Sequence, residues 1–362
     1  MDFTLSPSQQ LLVATARDVL RRHCPPETAQ RLALDAHGFD KTLWQRMAEL
    51  GWPGLLVPGD LGGSDGTLLD VILLVEEMGR AALPGPFVTS AVVATTLLLD
   101  GGGERGRRLL PALASGERIA TLALVDDGGS YDPRTVGLRC GPDGRVTGTK
   151  LFVKDAHVAT DLIVVLAEGE LLLLPADRAG IAQLPLDTLS GDKLFEVTFD
   201  GVATRAEDRL GSGGEALAAA LTAGALARTA EMVGAAQRVF DLSVEHARTR
   251  VQGGRPIGGY QAIQHACADL VRDVDTSRGL LYTAAWKASE GRPADGDVAT
   301  AKAYASEACL SVARRGHQIF GAMGYCEEHP LHLLHKRVQA ASVDYGDAGA
   351  HLETVARAIG LR

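Results

Sequence analysis

The spacing of apolar positions changes twice along this 362-residue chain. In the first 116 residues it is helical. Leu12, Ala16, Val19 and Leu20 recur at helical spacing behind Ser6 and Pro7, an N-cap serine and a first-turn proline. Helical patterns also cover residues 40–50, 67–81 and 86–99, and the glycines and prolines of GWPGLLVPGDLGGSDG keep the connector before residue 67 out of helix. From about Glu117 the runs become β-type: IATLALV, GRVTGTKLFV, DLIVVLA, ELLLLPA and FEVTFDGV, with turns at Pro142-Asp143-Gly144 and Asp200-Gly201. No helical pattern intervenes, which predicts a small barrel or sandwich instead of βαβ units. After Gly214 the helical period returns over 215–250, alanine-rich and interrupted by Gly224 and Gly234, then over 261–290 and 297–319, with shorter helices at 331–341 and 348–359. Small residues on three long helices suit the close axes of a bundle. The expected architecture is mostly α with a central β domain: an N-terminal helical domain over 1–116, a small β-barrel or sandwich over 117–212 and a C-terminal helical bundle over 213–362.

Composition narrows the function classes. A 46% hydrophobic content supports an ordinary core, and the length suits two or three structural units. A net charge of −9 argues against an extended nucleic-acid footprint. Cys24, Cys140, Cys267, Cys309 and Cys326 are dispersed without CxxC pairing, as in a protein whose thiols stay reduced. MDFTLSPSQQ lacks the order of a signal peptide, and no apolar run approaches the ~20 residues of a membrane span. These features predict a cytoplasmic protein.

Few motifs carry chemistry by themselves. GGGERG at 101–106 follows a helical leucine run, not a strand, so it reads as a helix-ending turn and not a phosphate loop. His329, His332 and His335 stand three apart, and with Glu328 two of them could face a metal; Pro330 splits the set, and hydrogen-bonding interface histidines are the plainer reading, so no metal is expected. Nothing resembles a Gly-x-Ser-x-Gly elbow. The informative stretch is RVQGGRPIGGYQAIQH at 250–265, where an arginine at a helix end meets a glycine-rich turn and a Gln-x-x-Gln pair opens the next helix.

Taken in order, ELGWPGLLVPGDLGG, VEEMGRAALPGPF, RRLLPALASGERIATLAL, VTGTKLFVKDAHVATDLIVV, RVQGGRPIGGYQAIQH and QIFGAMGYCEEHPLHLLHKR resemble the signatures of the flavin-dependent acyl-CoA dehydrogenase family over nearly the whole chain. The resemblance implies a helical domain, a β domain and a four-helix bundle, with FAD as cofactor and an acyl-CoA thioester as substrate. It also assigns residues. Arg250 and Gln261 match the arginine and glutamine that grip the pyrophosphate and adenine end of the neighbouring subunit's FAD. A guanidinium fork and free donors at a helix end suit that role. Gln318, Gly321 and Gly324 match a second signature reaching across the dimer, with Ala322 replacing its middle glycine. Glycines there let the backbone approach the cofactor.

Departures from the family pattern are as informative. Gly253 replaces an aromatic expected near adenine. VDDGGSYD keeps only Gly129, Ser130 and Asp132 of the flavin loop, and Phe152 and Lys154 stand where a Trp-x-Thr pair flanks the flavin ring. A charged lysine cannot accept a hydrogen bond. Dehydrogenation needs a carboxylate to take the α-proton while the β-hydrogen leaves as hydride. The family's Tyr-Glu-Gly-Thr is here Tyr345-Gly346-Asp347, and the alternative glutamate position falls around Gly224. Asp347, shorter and displaced by one place, is the candidate base; Glu231 is a second, out of register.

A chain that keeps the trans-acting cofactor grip but lacks its own base resembles one half of the paired acyl-CoA dehydrogenases of actinobacteria, α2β2 heterotetramers acting on steroid-derived CoA thioesters. The ending EEHPLHLLHKR…YGD is similar to their shorter subunits. The resemblance thus implies a second acyl-CoA dehydrogenase subunit that carries the base, and an electron-transferring flavoprotein as acceptor. A homotetramer using Asp347, and a cofactor-free scaffold or regulatory member of the fold, are the alternatives.

Overall fold

A computed structural model describes residues 4–361. Six helices come first: α1 (Pro7–His23), α2 (Pro26–Leu34), α3 (Lys41–Glu49), α4 (Leu68–Arg80), α5 (Thr95–Gly101) and α6 (Gly103–Ala114). Seven strands follow: β1 (Ala120–Ala123), β2 (Arg145–Lys154), β3 (Asp161–Val165), β4 (Glu170–Pro175), β5 (Ile181–Leu186), β6 (Leu194–Ala203) and β7 (Arg209–Ser212). The remainder is α7 (Gly214–Thr249), a short hairpin of β8 (Val251–Gln252) and β9 (Arg255–Pro256), then α8 (Gln261–Ser289), α9 (Asp295–Phe320), α10 (Leu331–Val343) and α11 (Ala348–Ala358). This is the architecture of N-terminal helices, central β domain and C-terminal helical domain. In space the described residues form two compact units, one of residues 4–31, 68–83 and 225–361, the other of 32–67 and 84–224.

The second unit holds both sheets, a four-stranded one in the order β1-β3-β4-β7 and a three-stranded one in the order β2-β6-β5. The β1–β3 pair is parallel; the others are antiparallel. β3 and β4 contribute Leu162, Val164, Leu172 and Leu174, β2 and β6 contribute Val146, Val153, Val197 and Phe199, and all eight close one core. The apolar stretch predicted as a single helix at 86–99 is a π-helical segment, Phe87–Ala94, running into α5. The Thr95 hydroxyl donates to Ser90 O at 2.9 Å, and Ser90 Oγ accepts from the N–H of Ala120 at 3.1 Å, so the irregular turn anchors the start of β1.

Helix α7 runs unbroken through the two glycines expected to interrupt it. Gly234 is there for close approach: a Cβ on it would lie 1.9 Å from Glu76 O of α4, and one on Gly79 would lie 2.2 Å from Glu231 O. The two helices touch backbone to backbone, which only glycine permits. By length and composition α7 could cross a membrane, yet 78% of its most apolar window is buried inside the protein, as in a core helix. Four charges are buried beside it. Glu231 accepts from Arg228 and from Arg337, and Arg228 Nε lies 2.8 Å from Asp344.

Candidate cofactor and active site

Three helix ends of the first unit meet around the stretch that the sequence singles out. The backbone of Arg250 is fixed, its N–H donating to His246 O and its carbonyl accepting from Ile257 N–H, both at 2.8 Å. Gly253 and Gly254 (φ +61° and +79°) form the two-residue turn between β8 and β9, a hairpin that demands positive φ at both places. A side chain at Gly253 would also run into Tyr260, whose hydroxyl lies 2.4 Å from the ideal Cβ position. The missing aromatic thus follows from turn geometry and from Tyr260, which donates to Gln252 O at 3.0 Å and carries Arg255 over its ring at 4.1 Å. At the end of α9, Phe320 stacks on His246 of α7 at 4.3 Å, bringing these ends together.

Each predicted cofactor contact can now be placed. Arg250, Gln261 and Gln318 are exposed, and none of their side chains makes a hydrogen bond or ion pair among the described residues. Gln264, the partner of Gln261 in the Gln-x-x-Gln pair, is used internally and donates to Gly258 O at 2.9 Å. Gly321 adopts φ +63°, ψ −141°, a region essentially reserved for glycine, with open space where a side chain would be. Gly324 is buried; a Cβ there would sit 3.0 Å from that of Phe320. The helix ends therefore expose one guanidinium and two carboxamides without side-chain partners among the described residues, beside glycine backbone, a donor set that fits the diphosphate end of a dinucleotide.

Polar groups in the flavin-loop region of the second unit are instead engaged with one another. Asp126 accepts from the N–H groups of Gly137 (2.6 Å) and Leu138 (3.1 Å) and from the buried Lys150. Burial works against its charge, but Lys150 and those amides hold it below the usual carboxylate range. Burial also pushes Lys150 down, against the pull of Asp126. Ser130 Oγ accepts from Asp132 N–H at 3.0 Å, and the Asp132 carboxylate is forked by Arg134. Phe152 sits in a β-bulge of β2 with φ +55° and is 42% exposed. Bulky residues rarely adopt this conformation, and it aims the ring out of the sheet.

The two positions that the resemblance assigns to the base, Gly346 and the region of Gly224, hold no carboxylate. Gly346 has φ +99°, and a Cβ on it would lie 2.9 Å from His351 Nε2. Its loop is clamped by Lys302, fully buried, which donates to Ala341 O (3.0 Å), Ser342 O (2.9 Å) and Gly346 O (3.0 Å). Burial pushes the Lys302 ammonium down to about 8. Gly224 is buried within α7. Asp347 is exposed and is the N-cap of α11, accepting from Ala350 N–H at 2.8 Å. Glu231 lies between two guanidiniums.

Sequence reasoning missed the Lys302 clamp and a histidine cluster around the turn Gly321–Tyr325. His317 stacks on Tyr325 (4.7 Å) and approaches His335 (5.0 Å), while His329 packs on Phe320 (4.4 Å). Burial lowers the pKa of His246, His317, His329 and His335 alike. Spacing in EEHPLHLLHKR points to the last two, but His246 and His317 stand alone in α7 and α9 and give no signal. Among the described residues no group of three His, Cys, Asp or Glu side chains could hold a metal.

Comparison with known proteins gives the family. Residues 6–117 match the family model "Acyl-CoA dehydrogenase, N-terminal domain" and residues 211–360 match "Acyl-CoA dehydrogenase, C-terminal domain". The chain belongs to the acyl-CoA dehydrogenase family, whose members are oxidoreductases acting on CH–CH groups and bind FAD. It is 30% identical to the acyl-CoA dehydrogenase FadE27 of Mycobacterium tuberculosis over 99% of this chain and 98% of that one. It superposes on a chain of the ChsE4–ChsE5 complex from the same organism with a TM-score of 0.91 at 29% identity, covering 100% of both. A variant of the Tcur3481–Tcur3483 steroid ACAD gives a TM-score of 0.90 at 29% identity, with 99% of each chain covered.

Proposed function

We propose that this chain is the subunit of a heteromeric acyl-CoA dehydrogenase that completes the FAD site of a partner subunit, and that the partner carries the catalytic base. One observation carries the reading: the usual base position is Gly346, at φ +99° and packed against His351, where a glutamate would be both strained and obstructed. Other carboxylates nearby are committed, Asp347 to capping α11 and Glu231 to two arginines. In contrast, Arg250, Gln261 and Gln318 present unpaired donors. Bound FAD would supply the hydride acceptor for α,β-desaturation of an acyl-CoA thioester. This chain's part is to fix the diphosphate end: Arg250 neutralises charge, the two glutamines orient, and Gly321 and Gly324 keep the backbone close.

The similarity to a chain of a two-component complex supports the partner, and the steroid ACAD makes a steroid-derived thioester the substrate to try first. An electron-transferring flavoprotein is the acceptor we expect. Arg250→Ala should lower the flavin content of the assembled complex without unfolding it; unchanged flavin would sink the cofactor assignment. Asp347→Asn should leave turnover within a few-fold. A loss of several orders of magnitude would restore the homotetramer with Asp347 as its base. If the complex with its partner is colourless, a cofactor-free scaffold is the better reading.

A further inference from the structure

The first unit holds a half-open cavity of about 520 Å³ whose lining includes none of Arg250, Gln261, Gln318, Gly321 or Gly324, within the roughly 300–1,000 Å³ typical of small-molecule sites. Its walls are the end of α1 and the Pro25-Pro26 turn, the end of α4, the middle of α7 and the start of α10. Leu20, Leu333 and Leu334 give it an apolar lining, and four arginines against two glutamates make it locally positive in a chain of net charge −9. Three of the arginines are already paired: Arg17 with Glu77 (2.6 Å), Arg21 with Asp18 (2.9 Å) and Arg80 with Asp241 (2.5 Å).

Arg238 is the exception. Its half-buried side chain makes no hydrogen bond or ion pair among the described residues. Burial, and then the neighbouring charge of Arg80, act against its positive charge, while the carboxylates of Asp241 and Glu245 favour it from a distance without hydrogen-bonding it. Five N–H donors held partly out of water without an acceptor would be stabilised by an anion.

We propose that this cavity is a ligand site for an anionic amphiphile, with a carboxylate or phosphate-monoester head on Arg238 and an aliphatic or alicyclic body over Leu20, Leu333 and Leu334. The proposal does not depend on which subunit carries the base. To test it, decanoate, decyl phosphate and uncharged decanol are titrated calorimetrically into the flavin-loaded protein as it purifies. At least one of the two anions should bind saturably at one site per chain and at least tenfold more tightly than decanol; their relative affinity tells a carboxylate from a phosphate source. Arg238→Met should weaken the anion at least tenfold and leave decanol unchanged, while Ala81→Trp, which fills the cavity from the end of α4, should abolish both. Flavin content and thermal midpoint report whether each variant is folded. If Arg238→Met does not fold, Arg238→Lys and the anion-to-decanol ratio on the unmodified protein decide the matter. Absence of saturable binding by either anion, or affinities indifferent to charge or to Ala81→Trp, would overturn the proposal. Binding to the isolated chain that vanishes in the complex would also overturn it, showing instead that the cavity is a subunit contact.

Discussion

Gly346 decides more about this chain than any residue it retains. Because its backbone is left-handed and His351 fills the space beside it, Gly346→Ala should cost about 1–3 kcal/mol in chemical denaturation. Gly346→Glu should be no better and should not create an active single-chain enzyme. A stable, active Gly346→Glu protein would show that the loop is permissive and that the missing base is a recent accident. Gly234→Ala is the harsher test of packing, since the new methyl would overlap Glu76 O; we expect a loss of about 3 kcal/mol, and a neutral result would contradict the backbone contact between α4 and α7. The sequence shows that both base positions lack a carboxylate, but not why. The reasons lie in residues far along the chain, Lys302 and His351, which nothing in local pattern connects to residue 346.

At the scale of elements, the long helices were legible because their apolar period persists over many turns: α8 and α10 begin at Gln261 and Leu331, where the spacing predicts. Short elements were not. The α2 helix has nine residues, while β5 and β7 alternate weakly and are largely exposed; their conformation is set by pairing with β6 and β4 instead of by their own composition. The buried charges Arg228, Glu231, Arg337 and Asp344 were equally hidden, since charges on a helical pattern read as a solvated face. The histidine cluster makes a prediction here. His246, His317, His329 and His335 have folded pKa values below that of a free histidine, so the stability they confer is complete above about pH 6.5 and is lost as pH falls toward their lowered values. Facing charges from Arg238, Arg250, Arg314 and His332 all act in the same direction, against protonation. Denaturant midpoints and flavin retention should therefore fall together on acidification through that range, and His317→Asn should flatten the slope. Retention of flavin at low pH with an unaltered midpoint would contradict it.

For the whole molecule, family and fold were readable from five ordered signatures, and the solved relatives agree with the fold across the full length. The proposed division of labour rests, in the sequence, on a set of departures; the structure adds that the candidate bases Asp347 and Glu231 are engaged, while the side chains of Arg250, Gln261 and Gln318 have no partner among the described residues. The most direct test is to recover the chain from its native host by affinity tag and measure, in one sample, its protein partners by mass spectrometry and its bound flavin by visible absorbance. We predict a second acyl-CoA dehydrogenase chain in equal amount, with flavin bound to the pair and little on this chain when expressed alone. A yellow homotetramer that dehydrogenates an acyl-CoA without any partner would contradict the account.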